Sequence, residues 1–130
     1  MLSGYKIPII RKEDSLKQAI AELNRKNIGA VLVVEEKRKL CGIITDGDLR
    51  RYLLEEKWLE GEAGKNRKKI AEVMTRQPVT ISGELMAADA LSLMQSKDIT
   101  VLAVVGRDHE VEGILHLHDL LGKGEFRFLI

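Results

Sequence analysis

Residues 42–51 read GIITDGDLRR, and the rest of the chain can be interpreted from this stretch. Its first part is apolar and rich in β-branched residues, which indicates a buried strand, and the aspartates after it are typical of a helix start. A weaker copy, GILHLHDLL, occupies residues 113–121. We therefore expect the function of this protein to lie at two strand-to-helix turns.

The second copy is part of a longer internal repeat. Adding 71 to the residue numbers 16–50 gives 87–121 without a gap. Identical residues then coincide in every predicted element, among them Ala19 with Ala90, Lys26 with Lys97, Gly42 with Gly113 and Asp48 with Asp119. Self-similarity at a fixed spacing indicates a duplicated structural unit.

Each copy has the pattern of a leading strand, a helix, two strands and a second helix. In the first copy we expect the leading strand at residues 5–10, a helix that begins near Leu16, strands at 30–34 and 40–44, and a helix over 46–57. The second leading strand is expected at 78–81. The predicted fold class is α/β (α+β), with two units that each have a small mixed sheet of about three strands packed against two helices.

These patterns divide the chain into four parts. Residues 1–57 form the first unit with its leading strand, and 58–76 form a linker with a short helical turn. Residues 77–122 form the second unit. The apolar end of the tail, 123–130, is expected to dock on this domain, on a second copy or on another segment.

Composition excludes several classes of function. The chain of 130 residues has a net charge of +1 and only 4% aromatic residues, which argues against a nucleic-acid partner. No apolar run approaches the roughly 20 residues that span a bilayer, and the N-terminus does not resemble a signal peptide. The one cysteine, Cys41, fits the reducing cytoplasm, where we expect the protein to be located.

The sequence does not predict an enzyme. It contains no nucleophile–base pair with an orienting group, and no glycine-rich phosphate loop. His116 and His118 lie two residues apart at a predicted helix start, so their side chains diverge, and we expect no metal site there.

Two interpretations of Thr45 and Asp48 remain open. A carboxylate at a helix N-terminus can accept hydrogen bonds from a vicinal diol, and the free helix amides favour a phosphate. Arg50 and Arg51 could neutralise that phosphate. The same Thr-x-x-Asp spacing is also that of a capping box, in which both side chains only satisfy backbone amides.

The duplicated unit, with a strand that ends in Gly-x-x-Thr-x-x-Asp, resembles a pair of cystathionine-β-synthase (CBS) domains, the Bateman module. The resemblance extends from about Ile7 to Leu121. Three strings, TDGDLRR at 45–51, AEVMT at 71–75 with PVTI after it, and HLHDLL at 116–121, also resemble the C-terminal CBS pair of bacterial arabinose-5-phosphate isomerases. Those enzymes carry a separate sugar-isomerase domain.

The resemblance implies a pseudo-twofold pair of units with two clefts, and in many relatives a dimer. It implies a regulatory ligand such as AMP, ADP, ATP or a cytidine nucleotide-sugar. Besides the turn itself, it assigns ligand contacts to the segments that enter the first hairpin strands. The candidate ligand-binding residues are Thr45, Asp46, Asp48, Arg50, Arg51, Ile28, Gly29, Ala30, Thr80, Ile99, Thr100, Val101, His116, His118 and Asp119. Core packing is the alternative for the Ile and Val side chains.

Three functions follow from these observations. The first is a regulatory, nucleotide-sensing CBS pair that modulates a sugar-phosphate isomerase domain in the same chain or in a partner. The second is an oligomerisation module without a small-molecule ligand. The third is a stand-alone CBS sensor that acts on another partner.

Overall fold

We describe the protein from a computed structural model over residues 7–26, 29–55, 69–84 and 87–117. The first helix, α1 (Leu16–Lys26), follows a reciprocal capping box. The Gln18 amide donates to the Ser15 hydroxyl at 3.1 Å, and the Ser15 amide donates to the Gln18 side chain at 2.8 Å. Ala19 and Leu23, four residues apart, are buried on the face of α1 that contributes to the core. The predicted start of this helix is therefore confirmed, with Ser15 as its cap.

The first sheet has four strands in the order β1-β2-β3-β4. β1 runs parallel to β2, with Ile9 opposite Leu32, and β4 runs antiparallel to β3. The apolar run at 30–34 is buried throughout, as a strand covered on both faces requires. The four strands are β1 (Ile9–Arg11), β2 (Ala30–Glu35), β3 (Lys39–Thr45) and β4 (Thr75–Arg76).

Two helices complete this first part of the fold. α2 (Asp46–Glu55) follows β3 directly, and α3 (Ile70–Val73) precedes β4. α3 is the short helical turn that the sequence predicted before residue 76. Ile70 is fully buried, which anchors this turn in the core.

The second sheet repeats the first with three strands, in the order β5-β6-β7. β5 is parallel to β6, β6 is antiparallel to β7, and α4 (Ala87–Lys97) lies between β5 and β6 in the chain. The strands are β5 (Thr80–Ser82), β6 (Val101–Val105) and β7 (Val111–His116).

The register of the strands confirms the internal duplication. In the first sheet Ile9 lies opposite Leu32, and adding 71 to both numbers gives the observed pair Thr80 and Ala103. The hairpin turns agree as well. Lys37 and Arg38 have φ of 62° and 57°, and the residues 71 positions later, Asp108 and His109, have 56° and 63°. Backbone conformation is thus repeated even where side chains differ.

Each sheet has its own aliphatic core, in keeping with an aromatic content of only 4%. Among the described residues the first core contains Ile10, Ala19, Leu23, Val31, Val33, Ile44 and Ile70. The second contains Ile81, Ala90, Met94, Leu102, Val104 and Leu115.

The chain divides into two compact units. One unit contains the described residues from 8 to 35 and from 41 to 77, and the other contains residue 7, residues 36–40 and the described residues from 78 onward. The hairpin turn after β2 is therefore grouped with the second sheet. A backbone bridge between Lys39 and Glu110 accounts for this grouping.

Two details differ from the sequence prediction. The first sheet has four strands rather than about three, because Thr75 and Arg76 pair with Ile43 and Gly42. A two-residue strand has no periodicity that sequence analysis can detect. The first leading strand begins at Ile9, since Pro8 cannot donate a ladder hydrogen bond, and residues 5 and 6 lie outside the described residues.

Candidate functional site

The turn between β3 and α2 is a complete capping box. The Asp48 amide donates to the Thr45 hydroxyl at 3.1 Å, and the Thr45 amide donates to the Asp48 carboxylate at 2.9 Å. The Thr45 hydroxyl also donates to the same carboxylate oxygen at 3.1 Å. The capping interpretation of these two residues is therefore correct, and ligand binding at Asp48 has to be compatible with it.

Asp48 has more partners than a helix cap needs. Its side chain forms an ion pair with Arg51, one turn further along α2. The Thr75 hydroxyl, from β4, donates to Oδ1 at 3.2 Å and lies 3.4 Å from Oδ2. Only 5% of Asp48 is exposed, although Arg51 and Thr75 are both exposed. The carboxylate is thus held in one orientation by three parts of one unit.

The segment that enters β2 lies beside the same turn. The Asp46 amide donates to the Gly29 carbonyl at 3.2 Å. Gly29 has a φ of +85°, a conformation that favours glycine. A Cβ at this position would lie 3.4 Å from the Asp46 carboxylate. Gly29 and Asp46 are therefore in contact beside the capped turn of Thr45 and Asp48.

The remaining residues of the first turn face solvent. Arg50 and Gly47 are exposed, and the side chain of Arg51 is 59% exposed despite its ion pair. A Cβ added to Gly47 would meet only the Thr45 hydroxyl, at 3.6 Å, so this glycine is not required by packing. Ile28, another candidate contact, lies outside the described residues.

The second copy brings together the corresponding backbone. The Leu117 amide donates to the Thr100 carbonyl at 2.8 Å, which is the contact of Asp46 with Gly29 shifted by 71 residues. Val101 pairs with His116, which is half-buried. Thr80 lies in β5 and is half-buried too. The candidates His118 and Asp119 lie outside the described residues.

Other predicted residues have a structural role. Ile99 packs against the second core, in agreement with the packing alternative. Cys41 packs against the first core, and its thiol donates to the Val33 carbonyl at 3.4 Å. Burial, with a smaller contribution from the negative charge of Glu35, raises the pKa of the Cys41 thiol above its usual value. Cys41 therefore contributes to packing.

Sequence reasoning missed two residues that shape the site. Thr75 lies 27 residues from Asp48, and only the pairing of β4 with β3 brings it close. Gly42 makes that pairing possible, because a Cβ at Gly42 would collide with the Met74 side chain and lie 3.1 Å from the Thr75 carbonyl. The signal was the string AEVMT at 71–75, which was recognised as a family feature but not assigned a contact.

The described parts of the chain lack two kinds of feature. No group of three or more His, Cys, Asp or Glu side chains there is arranged to hold a metal ion. No helix there is both long and apolar enough to cross a membrane.

The fold and the turn together define a class of protein. A duplicated unit with a parallel leading strand, a hairpin and a capped helix start is the architecture of a paired regulatory domain. The CBS domain family matches this chain twice, over residues 3–55 and 70–124, and the chain belongs to that family. CBS pairs are regulatory rather than catalytic domains.

Relatives connect this pair to sugar isomerases. The chain is 43% identical over 121 residues to "Arabinose 5-phosphate isomerase KdsD" of Francisella tularensis, a match that covers 93% of this chain and 35% of the relative. A protein of the same name from Escherichia coli K12 is 38% identical over 124 residues, with 95% and 36% covered. The chain therefore spans about a third of the length of these relatives.

Solved CBS pairs have the same fold. The CBS domain pair of protein MJ0100, in complex with 5′-methylthioadenosine and S-adenosyl-L-methionine, is 28% identical with a TM-score of 0.75, over 92% of this chain and 93% of that one. CBSX2, solved in complex with AMP, has a TM-score of 0.79 at 21% identity, over 95% and 91%. The predicted fold is thus confirmed.

Proposed function

We propose that this chain is a regulatory CBS pair that binds a nucleotide or nucleotide-sugar through Asp48. The burial of Asp48 is the observation that carries the proposal. A carboxylate that only caps a helix is normally exposed to water, whereas this one is 5% exposed and oriented by several donors. Its fixed orientation at an otherwise exposed turn suits an acceptor for a ribose diol that replaces some of these donors.

The groups around Asp48 would bind the phosphate and the base of a nucleotide. The positive dipole end of α2 favours a phosphate, although the amides of Asp46 and Asp48 already donate within the protein, and Arg50 is exposed close by. The backbone of Gly29 and Ala30 would read the base edge. The relative MJ0100 supports an adenosine group, since both molecules in that complex contain a ribose with a vicinal diol.

The second copy is proposed as a related but different site. Thr100, Val101 and His116 would contribute there, with Thr80 from β5. His118 and Asp119 belong to this proposal on sequence grounds. A histidine in the place of Thr45 changes the contact, because imidazole is larger than a threonine side chain and can donate a hydrogen bond to a phosphate.

We further propose that the pair modulates an arabinose-5-phosphate isomerase domain, in the same chain or in a partner. The two KdsD relatives carry this part of the proposal. A cytidine nucleotide-sugar is then as reasonable a ligand as an adenine nucleotide. The site of action would be the cytoplasm, where both kinds of nucleotide occur.

Thermal unfolding against a nucleotide panel tests the proposal. AMP, ADP, ATP, GMP, CMP and cytidine nucleotide-sugars would each be added at millimolar concentration. A ligand at about 100 times its dissociation constant stabilises the folded state by about 2.7 kcal/mol, which raises the melting temperature visibly. An unchanged melting temperature with every compound would contradict nucleotide sensing.

Two matched variants separate binding from capping. Asp48→Asn keeps the shape but removes the charge, and we expect it to lose the ligand-induced shift. Asp14→Asn is the control, because Asp14 also accepts a local backbone hydrogen bond, from the Arg11 amide at 2.9 Å, away from the site. If Asp48→Asn still responded to the nucleotide like the wild type, Asp48 would be only a cap.

An oligomerisation module is the second candidate, and one observation favours it. Leu54 of α2 is 80% exposed, and Leu53 beside it is 44% exposed. Exposed leucines on one helix are typical of a surface that pairs with another chain. We propose a homodimer through this helix, and sedimentation of Leu54→Gln would test it, with a monomer as the expected result. A Leu54→Gln protein of unchanged mass in solution would contradict this interface.

A further inference from the structure

The hydrogen-bonding capacity of Asp48 is fully used by the protein. An ionised carboxylate offers about four lone-pair positions. Four donors occupy them: the amide and the hydroxyl of Thr45, the guanidinium of Arg51 and the hydroxyl of Thr75. A ribose diol brings two further donors, so it can bind to this carboxylate only by replacing two of the existing ones.

The four donors differ in how easily they can leave. The Thr45 amide belongs to the backbone at the start of α2, and the Thr45 hydroxyl is also fixed because it accepts from the Asp48 amide at 3.1 Å. Arg51 and Thr75 are exposed, so water can satisfy both groups once they leave Asp48. The diol would therefore take the positions of Arg51 and Thr75.

We propose that Thr75 competes with the ribose of the ligand for Asp48, so that ligand binding releases β4 from the site. This inference rests on the proposed nucleotide binding at Asp48. The ligand class is a ribonucleotide with a free 2′,3′-diol, since a single hydroxyl would displace only one donor. Arg51, displaced at the same time, becomes available for the phosphate of the same ligand.

The release of Thr75 matters because β4 has few other attachments. It is a two-residue strand that pairs only with Gly42 and Ile43 among the described residues, and both of its own residues are exposed. The hydrogen bond to Asp48 connects β4 to the start of α2. β4 is also the segment that leads along the chain to β5 and the second repeat. Whether Asp48 binds the Thr75 hydroxyl or the ligand thus determines how firmly this connecting segment is held.

Titration calorimetry with AMP and with CMP, on the wild type and two variants, tests the competition. Thr75→Ser keeps the hydroxyl and should bind like the wild type. Thr75→Val removes the competing donor but keeps the shape and suits a strand. Because a hydrogen bond contributes about 1 kcal/mol net and 1.4 kcal/mol is tenfold in affinity, Thr75→Val should bind about fivefold more tightly.

The possible results are distinguishable. Binding by Thr75→Val that equals or is weaker than that of the wild type would overturn the competition while leaving the proposed function intact. A wild type that binds neither nucleotide would overturn the proposed function, and this inference with it. A comparison of AMP with 2′-deoxy-AMP adds a control, since the variant should gain affinity mainly for the compound with the full diol.

Amide hydrogen exchange gives a second measurement that a purely structural role of Thr75 would not change. In the wild type, AMP should accelerate exchange at the amides of Met74 to Arg76 while it protects those at the start of α2. In Thr75→Val, where the contact with Asp48 is already lost, AMP should cause no further acceleration at these amides. Protection of Met74 to Arg76 by AMP in the wild type would overturn the release of β4.

Discussion

Replacement of Gly42 by alanine is the most direct test of how β4 is positioned. A Cβ at this position would collide with the Met74 side chain and would lie 3.1 Å from the Thr75 carbonyl. The thioether can partly move, but the backbone carbonyl belongs to the strand pair and cannot move without separating β4 from β3. Overpacking of this kind costs about 1–3 kcal/mol. We expect Gly42→Ala to lower the free energy of unfolding by about 2 kcal/mol, within that range.

Urea denaturation followed by circular dichroism measures this loss. A lower midpoint with an unchanged slope would indicate lower stability without a change in the unfolded state. Met74→Ala is the matched partner variant, because it removes the side chain that a Cβ would meet. If the collision is the cause, the double variant should lose less unfolding free energy than the two single variants lose together. The difference should be at least about 1 kcal/mol, which is well above the usual additivity error of about 0.5 kcal/mol.

Strict additivity of the two changes would refute the reasoning, because it would mean that Gly42 and Met74 do not share the same space. A Gly42→Ala protein as stable as the wild type would refute it as well. The same variants connect packing to the site. Since Thr75 follows Met74 directly, Gly42→Ala should also weaken the contact between Thr75 and Asp48, which increases amide exchange at β4.

Three shorter predictions concern the turn, the hairpin and the thiol. Asp48→Ala should lower the free energy of unfolding by about 2 kcal/mol in urea denaturation, because a cap is lost and the Thr45 amide loses its acceptor. A loss below about 0.5 kcal/mol would contradict a stabilising role of the hydrogen bonds to Asp48. The double variant Lys37→Asn, Arg38→Gly should raise the free energy of unfolding by about 1 kcal/mol, since both positions have positive φ, which asparagine and glycine adopt more easily. An unchanged midpoint of urea denaturation would argue against strain in this turn. Because burial raises the pKa of Cys41, its thiol stays protonated when an unfolded thiol would ionise, so stability should fall more steeply above pH 9.0 in the wild type than in Cys41→Ala, and equal slopes would contradict this.

Much of the fold was predictable because the signals were local or repeated. The helical spacing of apolar residues from Leu16 predicted α1, and the apolar run at 30–34 suited a buried strand. The repeat at a spacing of 71 residues then showed each element in two copies, so the pattern in one copy supported the prediction for the other. Aliphatic residues at matching positions predicted both cores.

The site was less predictable, because its decisive contacts are not local. The spacing of Thr45 and Asp48 allowed both a cap and a ligand site, and the structure shows the cap together with further partners of Asp48. Thr75 reaches Asp48 through a two-residue strand whose pairing depends on the missing side chain of Gly42. No periodicity or propensity encodes such a contact, because it depends on which backbones can approach each other.

The two copies share a backbone conformation but differ in the side chains at their turns. The amide that follows β3 donates to the carbonyl before β2 in the first copy, and the equivalent bond joins Leu117 to Thr100 in the second. At this position the first copy has a second carboxylate, Asp46, where the second copy has an apolar Leu117. A carboxylate beside the helix start repels a phosphate, whereas leucine does not. If both turns bind nucleotides, the second should therefore tolerate more phosphate charge than the first, and ATP and AMP should differ in which turn they prefer.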